Sequence, residues 1–123
     1  MIRSIKKRVA LKLRSNARTF DFTKRVYRLL SGRGSSDPLY RFLKSISDQD
    51  QTTPFIQVGA NDGLTNDAIR EFAVWSKWPG ICVELIPWLY QKLKRNYKHV
   101  KNVNCVNAAS GHGDTLELFF IRR

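Results

Sequence analysis

Apolar residues recur along this chain with two different spacings, and each spacing predicts its own kind of element. From position 54 onward, short apolar runs alternate with stretches in which apolar residues return every three or four positions. The short runs are typical of buried strands, and the wider spacing is typical of amphipathic helices. Single helices between strands predict βαβ units, and therefore parallel strand pairing with right-handed crossovers. The predicted fold class is α/β and Rossmann-like.

The predicted elements of this region can be given bounds. The pattern predicts strands at 55–58, 80–85 and 103–109, and helices at 65–75 and from Pro87 onward with Leu89, Leu93 and Tyr97 as its apolar stripe. A fourth strand is predicted at 115–121. The loop before it is too short for a crossover helix, so this strand is expected to return antiparallel beside the third.

A basic, amphipathic region comes before the α/β region. Residues 1–33 contain eleven Lys and Arg but one acid, Asp21, whereas residues 34–123 are nearly neutral. We therefore divide the chain into a basic helical segment at 1–33 and a partial Rossmann-like domain at 34–123. Apolar residues of the segment recur at helical spacing among the basic ones: Ile2, Ile5, Val9 and Leu13, then Phe22, Val26, Leu29 and Leu30.

Three interpretations of the basic segment stay open. The favoured one is a solvated pair of helices that packs weakly on the main domain. The others are attachment to anionic lipid or nucleic acid, and an organellar transit peptide, because the segment is Arg-rich and nearly free of acids. Nucleic acid is not favoured, since few aromatic residues, Tyr27 among them, lie between the basic ones. Peripheral contact with an anionic membrane through residues 1–33 is kept as a partner.

A further helix is predicted between the basic segment and the first strand. The run SGRGSS at 31–36 is a flexible break. After it, Asp37 can cap a helix and Pro38 can take its first position. Apolar residues then mark one face, and the helix is expected to end near Ser47. The face comprises Leu39, Phe42, Leu43 and Ile46.

Charge distribution and cysteine usage indicate the cellular setting. No charge-free stretch approaches the roughly 20 residues of a membrane-spanning helix, and the N-terminus lacks the apolar core of a signal peptide. A soluble, cytoplasmic protein is therefore expected. Cys82 and Cys105 lie in apolar runs without a CxxC spacing or a paired His, so buried free thiols are expected and no metal site.

The first predicted strand leads into a turn bounded by glycines. Residues 55–63 read FIQVGANDG, and ligands of open α/β sheets bind beyond the carboxyl ends of the strands. Glycines let the backbone approach a ligand closely, and the helix that follows offers free N–H groups. Glu84 lies 21 residues after Gly63, where a carboxylate can accept hydrogen bonds from both hydroxyls of a ribose. An adenosine-containing ligand is therefore predicted.

The composition of the turn distinguishes between candidate ligands. Dinucleotide-binding loops read GxGxxG, so that the middle glycine admits a pyrophosphate. Here Asn61 replaces that glycine, and the Asp62 carboxylate would repel a pyrophosphate. S-adenosylmethionine has no phosphate and carries a positive sulfonium, which favours it beside an acid. A nucleotide-dependent oxidoreductase remains as the less favoured alternative.

Three segments in order resemble one known family. PFIQVGANDGLTND, GICVELIPWLYQKLKRNY and VNCVNAAS resemble the FkbM-type S-adenosylmethionine-dependent methyltransferases, whose chains show a GANDG-like loop, an acid followed closely by Pro, and an NxAxS-like segment. The resemblance covers about residues 54–121. It implies a class I methyltransferase that transfers a methyl group to a hydroxyl of a sugar, glycan or other small molecule.

The resemblance also implies roles for particular residues. The turn residues would shape the pocket for the amino-acid part of the donor, Glu84 would bind the ribose, and Asn107 with Ala108 would contact the adenine. Gln57 departs from the family pattern, because many methyltransferases have an acid there. Taken singly, each motif is also explained as a capped turn or a solvated strand end. The turn residues are Gly59, Ala60, Asn61, Asp62 and Gly63.

One part of the family pattern has no counterpart here. A complete methyltransferase of this class has a seven-stranded sheet, and the family's later acidic DxEG-like motif is absent from this chain. The chain is therefore expected to be an incomplete, N-terminal portion of the enzyme, with doubtful activity alone and no identifiable catalytic residue. The rival hypothesis is a basic binding module for nucleic acid or anionic membrane, with the α/β part as its scaffold.

Overall fold

The computed structural model describes residues 16–31, 36–49 and 52–109. Three strands alternate with helices after two N-terminal helices. In chain order, the elements are α1 (Ala17–Ser31), α2 (Pro38–Gln49), β1 (Phe55–Val58), α3 (Arg70–Trp75), β2 (Gly80–Val83), α4 (Pro87–Asn96) and β3 (Val103–Val106). The predicted helical pattern at 1–15 and the predicted strand at 115–121 lie outside the described residues.

The strands form one parallel sheet in the order β1-β2-β3. Phe55 pairs with Gly80 and Val58 with Val83, and β3 continues the same register from Val103 onward. The parallel pairing confirms the α/β, Rossmann-like character that the alternating pattern predicted. Strands β2 and β3 end earlier than predicted, so Glu84 and Asn107 come directly after the paired residues.

The described core packs against one face of the sheet. Side chains of a strand alternate between faces, and this face presents Phe55, Cys82 and Val103. Helix α4 covers them with Leu93, and a second cluster of Leu43, Phe72 and Trp78 connects α2 and α3 to the core. The Phe72 and Trp78 rings stack with centroids 5.0 Å apart.

The other face of the sheet is apolar but open. The apolar run at 55–58 predicted a buried strand, and this prediction is wrong for one face, because Ile56 and Val58 are exposed. The register aligns Ile56 with Ile81 and Val58 with Val83, and Val106 extends the second row. The described core contains none of these residues. The exposed side chains therefore form a continuous apolar surface.

Helix α3 begins five residues later than predicted. The pattern predicted a helix from 65, but residues 61–69 form turns and the helix starts at Arg70. Asn66 has the left-handed φ of 54°, which an α-helix cannot include. The Asp67 carboxylate then accepts hydrogen bonds from the Ile69 and Arg70 N–H groups at 3.0 Å, so Asp67 terminates the turns and starts the helix.

Helix α2 begins as predicted and ends two residues beyond Ser47. The Asp37 carboxylate accepts a hydrogen bond from the Leu39 N–H at 3.0 Å, with Pro38 at the first helical position. Leu43 is buried, whereas Leu39 and Phe42 of the predicted apolar face are exposed. Within the described residues, no helix combines the length and the apolar character needed to cross a bilayer.

Candidate functional site

The glycine-bounded turn after β1 is tightly bound to the neighbouring strand. The N–H groups of Gly59 and Ala60 both donate to the Val83 carbonyl, at 2.9 and 3.0 Å. The backbone is left-handed at Gly59, Asn61 and Gly63, with φ of 74°, 58° and 72°. This succession of positive φ values turns the chain sharply at the carboxyl end of the strands. The sequence predicts a ligand at this end.

The two glycines of the turn have different surroundings. A Cβ atom on Gly63 would lie 2.7 Å from both Leu93 and Tyr97, so this glycine permits close packing of the turn on α4. A Cβ atom on Gly59 would meet nothing within 4 Å. The backbone at Gly59 therefore faces open space, as a backbone that approaches a ligand must.

Glu84 connects the turn to helix α4. Its Oε2 atom accepts a hydrogen bond from the Asn61 N–H at 2.8 Å, and its Oε1 atom accepts one from the Ile86 N–H at 2.9 Å. The residue is 6% exposed. The carboxylate is therefore held between the turn and the start of α4, at the end of the strand next to β1.

Asn107 and Ala108 follow β3 at the same edge of the sheet. The Asn107 amide donates to the carbonyls of Glu84 and Leu85, at 2.8 and 2.9 Å, while its side chain stays exposed. Ala108 is half-buried. Both amide hydrogens are engaged by these carbonyls, so the amide oxygen is the atom that could accept a bond from a ligand.

Asp62 stabilises the turn. Its Oδ1 atom accepts hydrogen bonds from the Leu64 and Thr65 N–H groups at 2.9 and 2.8 Å, and its Oδ2 atom accepts one from the Thr65 hydroxyl at 2.8 Å. The Asp62 carbonyl accepts a further bond from the Asn96 side chain at 2.7 Å. These contacts account for an acid at this position without reference to a ligand.

The assembled groups have unused acceptor capacity that suits a ribose. A carboxylate offers about four acceptor sites, and backbone N–H groups occupy two of those on Glu84. The remaining lone pairs can accept hydroxyl hydrogens, and burial strengthens such bonds. The Glu84 lone pairs and the open backbone at Gly59 are thus the groups at this edge that could contact the sugar and amino-acid parts of S-adenosylmethionine.

Gln57 contacts a buried acid, Asp67, that the sequence pattern did not indicate as a site residue. Its amide lies 3.4 Å from Asp67 Oδ1, and the Tyr97 hydroxyl donates to Asp67 Oδ2 at 3.2 Å. Burial raises the pKa of Asp67, opposed by the hydrogen bonds that it accepts. The capping position of Asp67, three residues before Arg70, is the sequence signal that could have identified it.

A buried ion cluster lies behind the turn and involves the basic segment. The Arg70 guanidinium donates to both carboxylate oxygens of Asp21, at 2.6 and 3.0 Å, and to the Gly63 carbonyl at 3.1 Å. Arg70 is 1% exposed. His99 Nε2 lies 3.2 Å from Asp21 Oδ2, so the carboxylate is also a specific partner for this histidine. Asp21 and Arg70 are 49 residues apart, and no sequence pattern predicts this pair.

The cysteines are free, and Cys82 is buried as predicted. They face each other in the register of β2 and β3. Burial raises the pKa of the Cys82 thiol to about 12 and also raises that of Cys105. Across the residues that the structure describes, no three His, Cys, Asp or Glu side chains are grouped as metal ligands.

Comparisons of the chain with known protein families, curated proteins and solved structures found no match. The site described above therefore stands on its own geometry.

Proposed function

We propose that this chain binds S-adenosylmethionine through the turn after β1 and belongs to an FkbM-type methyltransferase that acts on a hydroxyl group. The observation that carries the proposal is the convergence of three sequence motifs at one edge of the sheet. The Asn61 N–H donates to Glu84 at 2.8 Å, and the Asn107 amide donates to the Glu84 carbonyl at 2.8 Å. Motifs far apart in the sequence thus share one network, as a common ligand site requires.

The residues of the chain would divide the binding of the donor between them. Glu84 accepts hydrogen bonds from the ribose hydroxyls, the open backbone at Gly59 admits the amino-acid part, and Asn107 with Ala108 borders the adenine. The donor, when bound, supplies an electrophilic methyl group on a positive sulfonium. The Asp62 carboxylate in the turn suits such a group better than it suits a pyrophosphate.

The acceptor and the catalytic base are the parts of the proposed function that depend least on the described residues. Methyl transfer to oxygen needs alignment of the hydroxyl with the methyl group, and a base that accepts the hydroxyl proton where one is needed. A sugar, glycan or other small-molecule hydroxyl is the proposed acceptor. We therefore assign a donor-binding role to this chain and name no described residue as the catalytic base.

Calorimetric titration with S-adenosylhomocysteine tests the proposal. Wild type is expected to bind, and Glu84→Gln is expected to weaken binding by about tenfold or more, because a hydrogen bond to a charged group is worth roughly 1.5–3 kcal/mol. Glutamine keeps an acceptor oxygen for one of the two backbone N–H groups and turns an NH2 group toward the other, so a moderate loss of stability is expected in a variant that still folds. Circular dichroism checks this.

Two comparisons sharpen the test. Glu71→Gln removes a carboxylate outside the candidate site, which pairs with Arg28 on α1. The affinity of this variant for S-adenosylhomocysteine should match that of wild type. Titration with NAD⁺ should show no binding, because Asn61 replaces the glycine that admits a pyrophosphate and the Asp62 carboxylate would repel one. A folded wild-type protein that binds neither ligand would contradict the proposal, and one that binds NAD⁺ alone would replace it with an oxidoreductase.

A further inference from the structure

Helix α1 is packed with its charged side toward the protein and its apolar side outward. The residues that face the core are Ala17, Asp21, Lys24 and Arg28, which recur every three or four positions. The opposite side presents Phe22, Val26, Leu29 and Leu30. Phe22, Leu29 and Leu30 are 63%, 74% and 83% exposed. Amphipathic helices of globular proteins ordinarily have the reverse orientation.

Specific ion pairs hold α1 in this orientation. Asp21 is buried against Arg70 at 2.6 Å, and Arg28 pairs with Glu71 of α3 at 2.7 Å. Lys24 Nζ lies 3.4 Å from the Asp67 carbonyl, and burial lowers the pKa of this lysine. The outward position of the apolar stripe therefore follows from contacts on three successive turns of the helix.

A basic cleft opens beside the apolar stripe. It has a volume of about 940 Å³ and lies between α1, α2 and α3, with Leu29 at its wall. Two of its cations have acidic partners, since Lys44 pairs with Asp48 and Arg28 with Glu71. Three further cations line the cleft with no carboxylate within 4 Å in the described part of the chain: Arg25, Arg41 and Lys77.

We propose that the outward face of α1 docks on a membrane surface that contains anionic phospholipid. Phe22, Val26, Leu29 and Leu30 would enter the region between headgroups and acyl chains, as interfacial amphipathic helices do. Arg18 and Arg25 are exposed on the same helix and would meet lipid phosphates, and the basic cleft would take a further anionic headgroup. The proposal goes beyond methyl transfer and does not depend on it.

The combination of apolar and basic side chains selects lipid over other anionic or apolar partners. A nucleic acid offers phosphates and base faces but no hydrocarbon that would cover three exposed aliphatic side chains. A second copy of the chain would cover them, but it would also bring Arg18 and Arg25 of both copies together. An anionic bilayer supplies hydrocarbon and negative charge at the same interface. The charge of the chain, +12 overall, is complementary to it.

Vesicle flotation of the full chain tests the proposal. The protein should bind phosphatidylcholine vesicles that contain phosphatidylserine, and it should bind pure phosphatidylcholine vesicles more weakly. The double variant Phe22→Ser/Leu30→Ser should lose about a hundredfold in affinity, since each buried side chain of this size contributes about tenfold. Arg18→Gln/Arg25→Gln should reduce the preference for phosphatidylserine, with the rest due to the other cations of the cleft, and added salt should weaken wild-type binding.

Matched variants identify the surface. Ile56→Thr changes an exposed apolar residue of the sheet, and Lys92→Gln/Lys94→Gln removes two exposed charges from α4; both should bind vesicles as wild type does. Wild-type affinity of Phe22→Ser/Leu30→Ser would overturn the proposal. So would tighter binding to a single-stranded oligonucleotide than to vesicles, or a dimer in analytical ultracentrifugation that this variant dissociates. A folded wild type that binds no vesicles would also overturn it.

Discussion

Gly59 and Gly63 share a backbone conformation but differ in what surrounds them. Their φ values are 74° and 72°, and a Cβ atom would meet open space at Gly59 but Leu93 and Tyr97 at Gly63. Gly59→Ala should therefore cost only the left-handed conformation, about 1–2 kcal/mol. Gly63→Ala should cost about 1–3 kcal/mol more, because Leu93 and Tyr97 are buried and cannot move aside. Urea denaturation measures both free energies of unfolding.

The comparison of the two variants cancels the backbone term that they have in common. If Gly63→Ala is no more destabilised than Gly59→Ala, the turn does not pack closely on α4.

The same pair of variants separates an effect on stability from an effect on ligand binding. Gly59→Ala should weaken S-adenosylhomocysteine binding more than its small loss of stability explains, because the added methyl group enters the open space at the turn.

The two thiols should be unreactive in the folded protein. Burial raises the pKa of Cys82 to about 12, so its thiolate, the reactive form, is scarce at pH 8. Iodoacetamide should modify Cys82 only as fast as the protein opens, and Cys105 somewhat faster because it is half-buried. Mass spectrometry of the two peptides over time measures this, with urea-unfolded protein as the control. Rapid native labelling of Cys82 would contradict its burial.

The candidate site shows which residue positions a sequence can reveal. That the turn, Glu84 and Asn107 lie at one edge of the sheet was predictable, because each follows a strand and parallel strands bring their carboxyl ends to one edge. The role of Asp62 in bonding Leu64 and Thr65 was not predicted. An acid beside a glycine turn suits either a ligand or a local cap, and only the geometry of its carboxylate distinguishes them.

At the level of elements, the ion pair between Asp21 and Arg70 is the most deeply buried of those that attach α1. Arg70 donates to Asp21 at 2.6 and 3.0 Å, and both side chains are buried. Arg70→Met leaves the Asp21 carboxylate buried without its partner, and should lower the free energy of unfolding by about 3–5 kcal/mol. The double variant Asp21→Asn/Arg70→Met should lose much less than the sum of the two single variants, because no unpaired charge remains. Urea denaturation of all four proteins completes the cycle.

An exposed pair of the same chain provides the control. Lys44 and Asp48 are paired on the surface of α2, and removal of either charge should cost less than about 1 kcal/mol. Additive losses in the Asp21 and Arg70 variants would show that the buried pair does not couple α1 to the core. Limited trypsin digestion gives a second readout, since Arg70→Met should expose α1 to cleavage at Lys24 and Arg25.

The existence and order of the described elements were predictable, whereas their ends depended on side-chain chemistry. Helix α2 starts where Asp37 and Pro38 indicate, because that signal is local. The start of helix α3 was predicted too close to the N-terminus. Ile69 and Phe72 have a helical spacing, but Asn66 and Asp67 form a turn where the spacing predicted the first residues of the helix. The outward orientation of α1 could not be predicted either, because Asp21 of this helix pairs with Arg70, which lies 49 residues away in the sequence.

For the molecule as a whole, the sheet has one covered face and one open face. An apolar strand such as β1 predicts burial on both sides, which is the rule for parallel sheets. The described residues cover Cys82 and Val103 but leave Ile56 and Val58 exposed. The same chain also exposes the apolar stripe of α1. Among the described residues, a small core is therefore accompanied by buried charges, and these charges make the free energy of unfolding sensitive to pH.

Acidification should lower the free energy of unfolding through His99. Burial lowers the pKa of this histidine in the folded protein, and the nearby Asp21 opposes part of that shift. As the pH falls from above 7, the unfolded chain takes up the proton first, so the unfolded state is favoured. The loss begins near the ordinary histidine pKa and levels off below the lowered pKa of the folded state.

The variant His99→Gln isolates this contribution to the free energy of unfolding. Glutamine can still donate to Asp21 Oδ2, where His99 Nε2 lies at 3.2 Å, but it does not titrate. Urea denaturation of both proteins between pH 8 and pH 5 should show that wild type loses stability relative to the variant as the pH falls. Contributions from all other groups, the second histidine included, cancel in this difference. A difference that stays constant would mean that burial and the Asp21 carboxylate cancel, so that the pKa of His99 is the same in the folded and unfolded states. A difference that grows in favour of wild type at low pH would mean that the Asp21 carboxylate outweighs burial and stabilises a charged His99 behind the candidate site.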